Sequence, residues 1–440
     1  MRTTGAPQRP VKMASTFDAA LRQSGRSSMP ARTVGMTTPA LPFDPHTLCA
    51  HAGTGAGDGN PITTPLIQST TFCRDGVDST CTHQYSRVSN PTVAALEKAL
   101  GDLESAPPAV CFASGLAAET ALLLATLTAG DHVVCGRTVY GGTTRLLRQI
   151  LAPLGITTTF VDATSTDAIR AAVTGATRLL FLETPANPTL ELTDIAAAAR
   201  IARDAGALLA VDNTFLTPVL QLPLDLGADL VVSATTKFTE GHSVAVGGAI
   251  TALDTTLLDR IRFIRKSTGG IQSPLNAWLT LNGLKTLPIR LERQSASALH
   301  IARWLAAHPA VARTNYPGLS DFPGRELARL QHRGADGAVL SFELTGGFDA
   351  ARTVAQSVRL CRLVEHVGSV ESLLTHSASM THADVPARHR AETGISDGLL
   401  RLSVGLESPD DIIADLAQAI DRATDPESTP AQGAAPCNAR

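Results

Sequence analysis

Six short apolar runs, each ending in a polar cluster, set the strongest limit on what this chain can fold into. They are AVCFASG (109–115), HVVCG (132–136), TTTFVD (157–162), RLLFLETP (178–185), ALLAVDNTF (207–215) and ADLVVSA (228–234). Each has strand length and is rich in Val, Leu and aromatics. Between them, Leu116–Thr128, Thr143–Leu154, Thr166–Thr174 and Asp194–Ala205 have the spacing of helices, some opening on an Asp or Thr that can cap them. Strands too apolar to leave one face in water, alternating with helices, predict an α/β fold with a mostly parallel sheet covered on both sides. In such a sheet ligands bind beyond the carboxyl ends of the strands. The functional residues are therefore expected where each run stops.

Past Ser273 the pattern changes. A long helical region is expected from Pro274 to about Ala307, then strands at 338–344 and 399–405 and a closing helix over about 409–423, an α+β arrangement. The expected division is an N-terminal extension (1–42), an arm (43–105), a large domain (106–290), a C-terminal α+β domain (291–423) and a tail (424–440). The first 42 residues carry six basic residues and one acid, Asp18, and suit a disordered extension or an early start, with Met13, Met29 or Met36 as alternatives. A formal net charge of -3 over 440 residues provides no basic field for nucleic acid or an acidic membrane. Seven cysteines with no Cys-x-x-Cys pair fit a reducing compartment, the cytoplasm by default, and no metal site is expected. No apolar run reaches the roughly 20 residues that span a bilayer.

At the run ends, Ser114-Gly115-Leu116 opens a helix, where free N–H groups can hold a phosphate. Glu183-Thr184-Pro185-Ala186-Asn187-Pro188 presents Asn187 on a rigid turn. Asp212 follows an apolar strand directly, and a buried carboxylate needs a cation. Lys237 ends the next step, in Ala234-Thr235-Thr236-Lys237. A strand-end aspartate and a strand-end lysine so placed are what pyridoxal 5'-phosphate requires: an amine for a Schiff base and an anion for the pyridine nitrogen. A plain Asp–Lys ion pair would give the same pattern. Two of the three tyrosines stand in polar, turn-like settings, Gln84-Tyr85-Ser86-Arg87 and Val139-Tyr140-Gly141-Gly142. Arg87 suits a phosphate, Tyr140 could stack on a flat ring, and Arg401 inside LLRLSVG needs an anion such as a substrate carboxylate.

From about Pro42 to Asp421 the chain resembles the pyridoxal-phosphate enzymes of cysteine and methionine metabolism, through QYSRVSNPT, FASGLAAE, GDHVV with YGGT, ETPANP, VDNTF, ADLVV with TTKF and GHS, VESLLTHSASMTH and LLRLSVGLE. The resemblance implies fold type I, an arm contacting a neighbouring subunit, and a homo-oligomer built as a dimer of active dimers. It makes Lys237 the Schiff-base lysine and proton carrier, Asp212 the partner of the pyridine nitrogen, and Tyr140 both the stacking ring and a second catalytic residue that takes part in proton transfer. Gly115 and Leu116 would give N–H groups, and Thr214 and Thr236 hydroxyls, to the phosphate, with Tyr85 and Arg87 reaching it from the neighbouring subunit. Asn187 and Arg401 would bind the substrate carboxylate.

Three positions depart from the pattern: Ala234 replaces a serine that donates to the phosphate, Val244 replaces a common Asp, and His366 replaces a serine after Glu365. Glu365 resembles the position that receives a distal amino group in cystathionine γ-synthases and γ-lyases. Gln84 stands where those enzymes often have a second acid. The expected activity is γ-replacement or γ-elimination on a homoserine-derived amino acid. An O-acylhomoserine sulfhydrylase or methionine γ-lyase is the alternative, and a scaffold that binds cofactor without catalysis the reading from another class.

Overall fold

The computed structural model describes residues 43–55, 58–383 and 387–425. The expectations for residues 1–42 and most of the tail fall outside these. Seven strands form the larger sheet: β1 (Val110–Phe112), β2 (His132–Gly136), β3 (Thr157–Val161), β4 (Thr177–Glu183), β5 (Leu208–Asp212), β6 (Leu230–Ser233) and β7 (Gly248–Ala252). Their order is β1-β7-β6-β5-β4-β2-β3, and β7 alone runs antiparallel to its neighbours. The six expected strands are all present, and β7 is the addition. Its sequence, Gly-Ala-Ile-Thr-Ala, has only one bulky apolar side chain, so in sequence the Gly247-Gly248 pair at its start reads as a turn. The small residues have a packing reason: a Cβ on Gly248 would collide with the backbone at Ser114 and Gly115. β7 thus lies directly beneath the first strand-to-helix turn.

Two of the expected helices are interrupted. The span Thr143–Leu154 is an α-helix over Gly141–Arg145, a π-helical turn over Leu146–Leu151 and a 3-10 turn over Ala152–Leu154. Pro153 removes a backbone donor and its ring disfavours continued α-helix, and Gly155 at φ 84° ends the element. The long helix beyond Ser273 divides into Pro274–Leu284 and Leu287–Ala306, with Pro288 in the first turn of the second, where its missing N–H is harmless. A helix over Thr255–Thr268, capped by Asp254 accepting from the Thr256 and Leu257 N–H groups, was not foreseen.

Helices cover both faces of the sheet, as its apolar strands demand. On one side Leu122, Leu147, Leu179, Phe181, Leu230 and Ile250 form a continuous buried cluster with the helices Gly115–Thr126 and Thr255–Thr268. On the other, Val134, Leu180, Leu182, Leu209 and Val211 pack on Ile195, Ala198, Ile201 and Ala202 of the helix Ile195–Asp204. Burying each large side chain contributes about 1.5–3 kcal/mol. A five-stranded sheet follows, β8 (Val311–Asn315), β9 (Val339–Leu344), β10 (Arg362–Leu363), β11 (Leu373–His376) and β12 (Leu399–Ser403), in the order β10-β11-β12-β9-β8. Only β10–β11 is parallel. Helices Gly347–Ser357 and Pro409–Thr424 close one face through Ala351, Val354, Ile412, Leu416 and Ile420, while β12 points Arg401 the other way, toward the large sheet.

Candidate active site

Beyond the carboxyl ends of β1, β2, β4, β5 and β6 lies a cavity of about 530 Å³. Of the twelve residues singled out in the sequence, all except Tyr85 and Arg87 line it. Those two lie in the segment before helix Pro91–Leu103, where Tyr85 is exposed and Arg87 donates from Nη1 to the Lys266 carbonyl at 2.6 Å.

Three carboxyl groups form one side of the cavity. Asp212 and Glu183 are register partners on β5 and β4, so their side chains project side by side. Asp212 Oδ1 accepts from the Thr214 N–H at 2.8 Å and the Thr214 hydroxyl at 2.5 Å. Glu183 accepts from the backbone N–H of Tyr140 at 2.7 Å and of Asn187 at 3.1 Å. Burial, then the Asp212 charge, holds the Glu183 carboxyl well above the usual range, and burial raises Asp212 against the pull of its Thr214 hydrogen bonds. The third is Glu119, which accepts from the Thr143 hydroxyl at 2.7 Å and is pushed to about 8 by burial and by Asp212. Sequence reasoning missed Glu119 and the work of the Glu183 carboxylate. A signal existed for the first: Glu119 is the one charged residue in GLAAETALLLAT.

The facing side is cationic. Lys237 sits in the turn after β6, most of it buried, and burial followed by the Arg401 charge lowers its amine to about 8. Its Nζ lies 3.1 Å from Nδ1 of His366. Arg401, 3 % exposed, directs Nη1 to Asn187 Oδ1 at 2.8 Å and Nη2 to the His366 carbonyl at 3.0 Å and Thr375 Oγ1 at 2.9 Å. All three acceptors are neutral, and among the described residues the guanidinium meets no carboxylate directly. Burial lowers the Arg401 guanidinium to about 10, against the pull of the Glu183 and then the Glu365 charge, and Glu365 stands exposed on the cavity rim.

At the third edge the helix Gly115–Thr126 begins. Ser114 caps it by accepting from the Ala117 N–H at 3.1 Å, while the N–H groups of Gly115 and Leu116, in the first turn, have no hydrogen-bond acceptor among the described residues. Two expected phosphate donors are engaged elsewhere. The Thr214 hydroxyl gives its one hydrogen to Asp212 and accepts from the Ala234 N–H at 2.9 Å, and the Thr236 hydroxyl donates to the Gly247 carbonyl at 3.0 Å. In this arrangement neither hydroxyl is available to a phosphate.

The donor set fits pyridoxal phosphate on structural grounds. Free N–H groups at a helix start suit the phosphate, a buried aspartate raised by desolvation suits a cationic ring nitrogen, and a buried amine whose proton is held less tightly than usual suits an aldehyde. The sequence profile of the family described as Cys/Met metabolism PLP-dependent enzyme matches residues 46–421. The chain belongs to this family. It is 41% identical over 376 residues to a cystathionine gamma-lyase of Bacillus subtilis (strain 168), covering 85% of this chain and 98% of that relative. It is 40% identical over 387 residues to an L-methionine gamma-lyase of Fusobacterium nucleatum subsp. polymorphum, covering 86% and 98%. The crystal structure of cystathionine gamma synthase from Xanthomonas oryzae pv. oryzae with aminoacrylate and cysteine superposes with a TM-score of 0.84 at 40% identity, over 87% of this chain and 99% of that one. The fold is therefore that of the type I pyridoxal-phosphate enzymes, and the cofactor is pyridoxal 5'-phosphate. Among the described residues no helix is long and apolar enough to cross a membrane.

Proposed function

We propose that this enzyme acts at the γ-carbon of a homoserine-derived amino acid, as a cystathionine γ-synthase or γ-lyase does. The observation that carries this reading is the pairing of a buried, carboxylate-free Arg401 with Glu365 on the rim of the same cavity. An α-carboxylate on Arg401 and a distal ammonium at Glu365 describe an amino acid charged at both ends, which cystathionine is.

When bound, pyridoxal phosphate supplies an electron sink that makes protons on the substrate α- and β-carbons removable. Gly115 and Leu116 hold its phosphate through N–H groups, Asp212 keeps its ring nitrogen protonated, and Tyr140 covers the ring. Tyr85 and Arg87 complete the phosphate site of a neighbouring subunit in a dimer of active dimers, and the enzyme works in the cytoplasm. Arg401, kept straight by Asn187 and Thr375, fixes the substrate carboxylate and so places the α-proton at Lys237. With its amine lowered to about 8, Lys237 exists in both protonation states near neutrality, and Nζ takes the α-proton and returns it elsewhere. A thiol then replaces the γ-substituent, or water completes its elimination.

Two results test this. The purified protein carries the visible absorbance of bound cofactor, and Lys237→Ala abolishes both that band and turnover. Offered O-acylhomoserine with cysteine, then cystathionine, then methionine, it is most active with one of the first two. Glu365→Ala raises KM for cystathionine roughly tenfold, the value of about one charge-assisted hydrogen bond. Preference for methionine, with no effect of Glu365→Ala, would favour the methionine γ-lyase reading that the Fusobacterium relative represents.

A further inference from the structure

His366 enters the cavity on the loop between β10 and β11, where the family pattern has a serine. What brings it in is Gly368, at φ 83°, whose backbone lies so close to the Lys237 turn that a Cβ would come within 2.5 Å of the Phe238 nitrogen and 2.8 Å of the Lys237 carbonyl carbon. The Gly368 N–H is fixed on Ser403 Oγ at 2.9 Å, and the His366 carbonyl on Arg401 at 3.0 Å. The loop is therefore tied to β12 on both sides of its contact with Lys237. Held so, the imidazole makes one hydrogen bond among the described residues, between Nδ1 and Lys237 Nζ at 3.1 Å, while Nε2 is buried with no partner among them. Burying a polar ring with half its capacity unmet costs free energy, about 1–3 kcal/mol for a lost partner. A ring that served packing alone would be replaceable by an apolar one at a gain.

We propose that His366 is a positioning residue for Lys237: its ring fixes the direction of the reacting amine and governs how readily that amine holds a proton. The inference rests on the reading of Lys237 as that amine. Burial and the charges of Lys237 and Arg401 push the His366 imidazole down to about 4, so it is neutral near pH 7 and Nδ1 is free to accept from an ammonium. An acceptor on the charged form raises proton affinity, opposing the burial and the Arg401 charge that lower Lys237 to about 8. The other titratable or charged groups around the same cavity are Glu119, Tyr140, Arg145, Glu183, Asp212, Glu365 and Arg401. They are common to wild type and variants, so a His366 substitution isolates the ring.

The test uses the full chain, stripped of cofactor, and follows the rate at which it recaptures pyridoxal phosphate as pH rises. In wild type the rate climbs with the fraction of neutral Lys237 amine, and Lys237→Ala shows no such climb; failure at that step refutes the reading of Lys237, not of His366. His366→Leu, which keeps the volume and excludes water, moves the midpoint down by roughly one pH unit and lowers the plateau rate. His366→Gln, which restores an acceptor that does not titrate, returns the midpoint to within about 0.3 unit of wild type. An unmoved midpoint in a folded His366→Leu, or an upward one, overturns the proposal. If His366→Leu does not fold, His366→Ala and His366→Gln are compared, and equal midpoints refute it.

Discussion

The acidic and cationic sides of the cavity are built in different ways. Asp212 and Glu183 occupy matched positions at the ends of adjacent parallel strands, and their carboxylates are satisfied within the large sheet and its own loops, by Thr214 and Asn187 a few residues away and by the Tyr140 backbone 43 positions away. Lys237, His366 and Arg401 come from a turn of one sheet and a loop and strand of the other, and each is satisfied by a residue more than twenty-five positions away. Sheet register places Asp212 and Glu183, whereas the cations depend on how the two sheets pack. The acids should therefore tolerate disturbance of the second sheet, and the cations should not. Burial acts oppositely on the two sides, raising the carboxyls and lowering Lys237, His366 and Arg401, so both sides move toward neutrality near working pH.

The largest effect is expected from Asp212→Asn. The substitution keeps shape and the Thr214 hydrogen bonds but removes the charge opposite a cationic ring nitrogen. Breaking a buried charge pair costs about 3–5 kcal/mol, so cofactor affinity and turnover together fall by roughly a factor of 10² to 4 × 10³. Equilibrium dialysis and steady-state rates measure the two losses separately. Unchanged cofactor affinity would make the acidic side merely structural. A smaller effect follows from Arg401→Ala, which removes the carboxylate fork and leaves Asn187 and Thr375 without their donor. KM should rise by roughly 100-fold, about 2.7 kcal/mol, with kcat less affected. Arg401→Lys should recover little of this, because an ammonium cannot reproduce the planar fork. If kcat fell and KM held, Arg401 would serve the architecture of the cationic side and not the substrate.

The same contrast explains what could be read from sequence. Strands β1 to β6 were legible because parallel strands buried on both faces are apolar throughout, and Asp212 was legible because it interrupts such a run. Arg401 followed in the same way from an apolar strand, Lys237 from its strand-end place one step after Asp212, Asn187 from a rigid turn, and Tyr140 from a polar, turn-like setting. β7 was hidden because its job is to be small, beneath Ser114 and Gly115. The hydroxyl of Thr214 was assigned to a phosphate, yet two residues from Asp212 it makes a local turn that captures its hydrogen. The contact of His366 with Lys237 joins residues 129 positions apart through a glycine at positive φ, which no local pattern announces.

Glu119 gives the mildest test, on the acidic side alone. Its carboxyl is raised from an ordinary 4.5 to about 8 by burial and by Asp212, so between those values the folded chain keeps a proton that the unfolded chain has released. Stability then falls as pH climbs through that window, because the unfolded state binds fewer protons. Glu119→Gln keeps an acceptor for the Thr143 hydroxyl and cannot ionise, so it should lose this part of the slope. In cofactor-stripped protein, denaturant titrations should show the variant gaining on wild type by about 2 kcal/mol between pH 5 and pH 8, a figure below the full linkage because water penetration softens burial. The midpoint of unfolding should move with no change in its steepness, since the surface exposed is the same. A variant that loses ground as pH rises would place a charged carboxylate at Glu119 in the folded state. The three acids would then form a cluster held by a cation, not a row held apart by one retained proton.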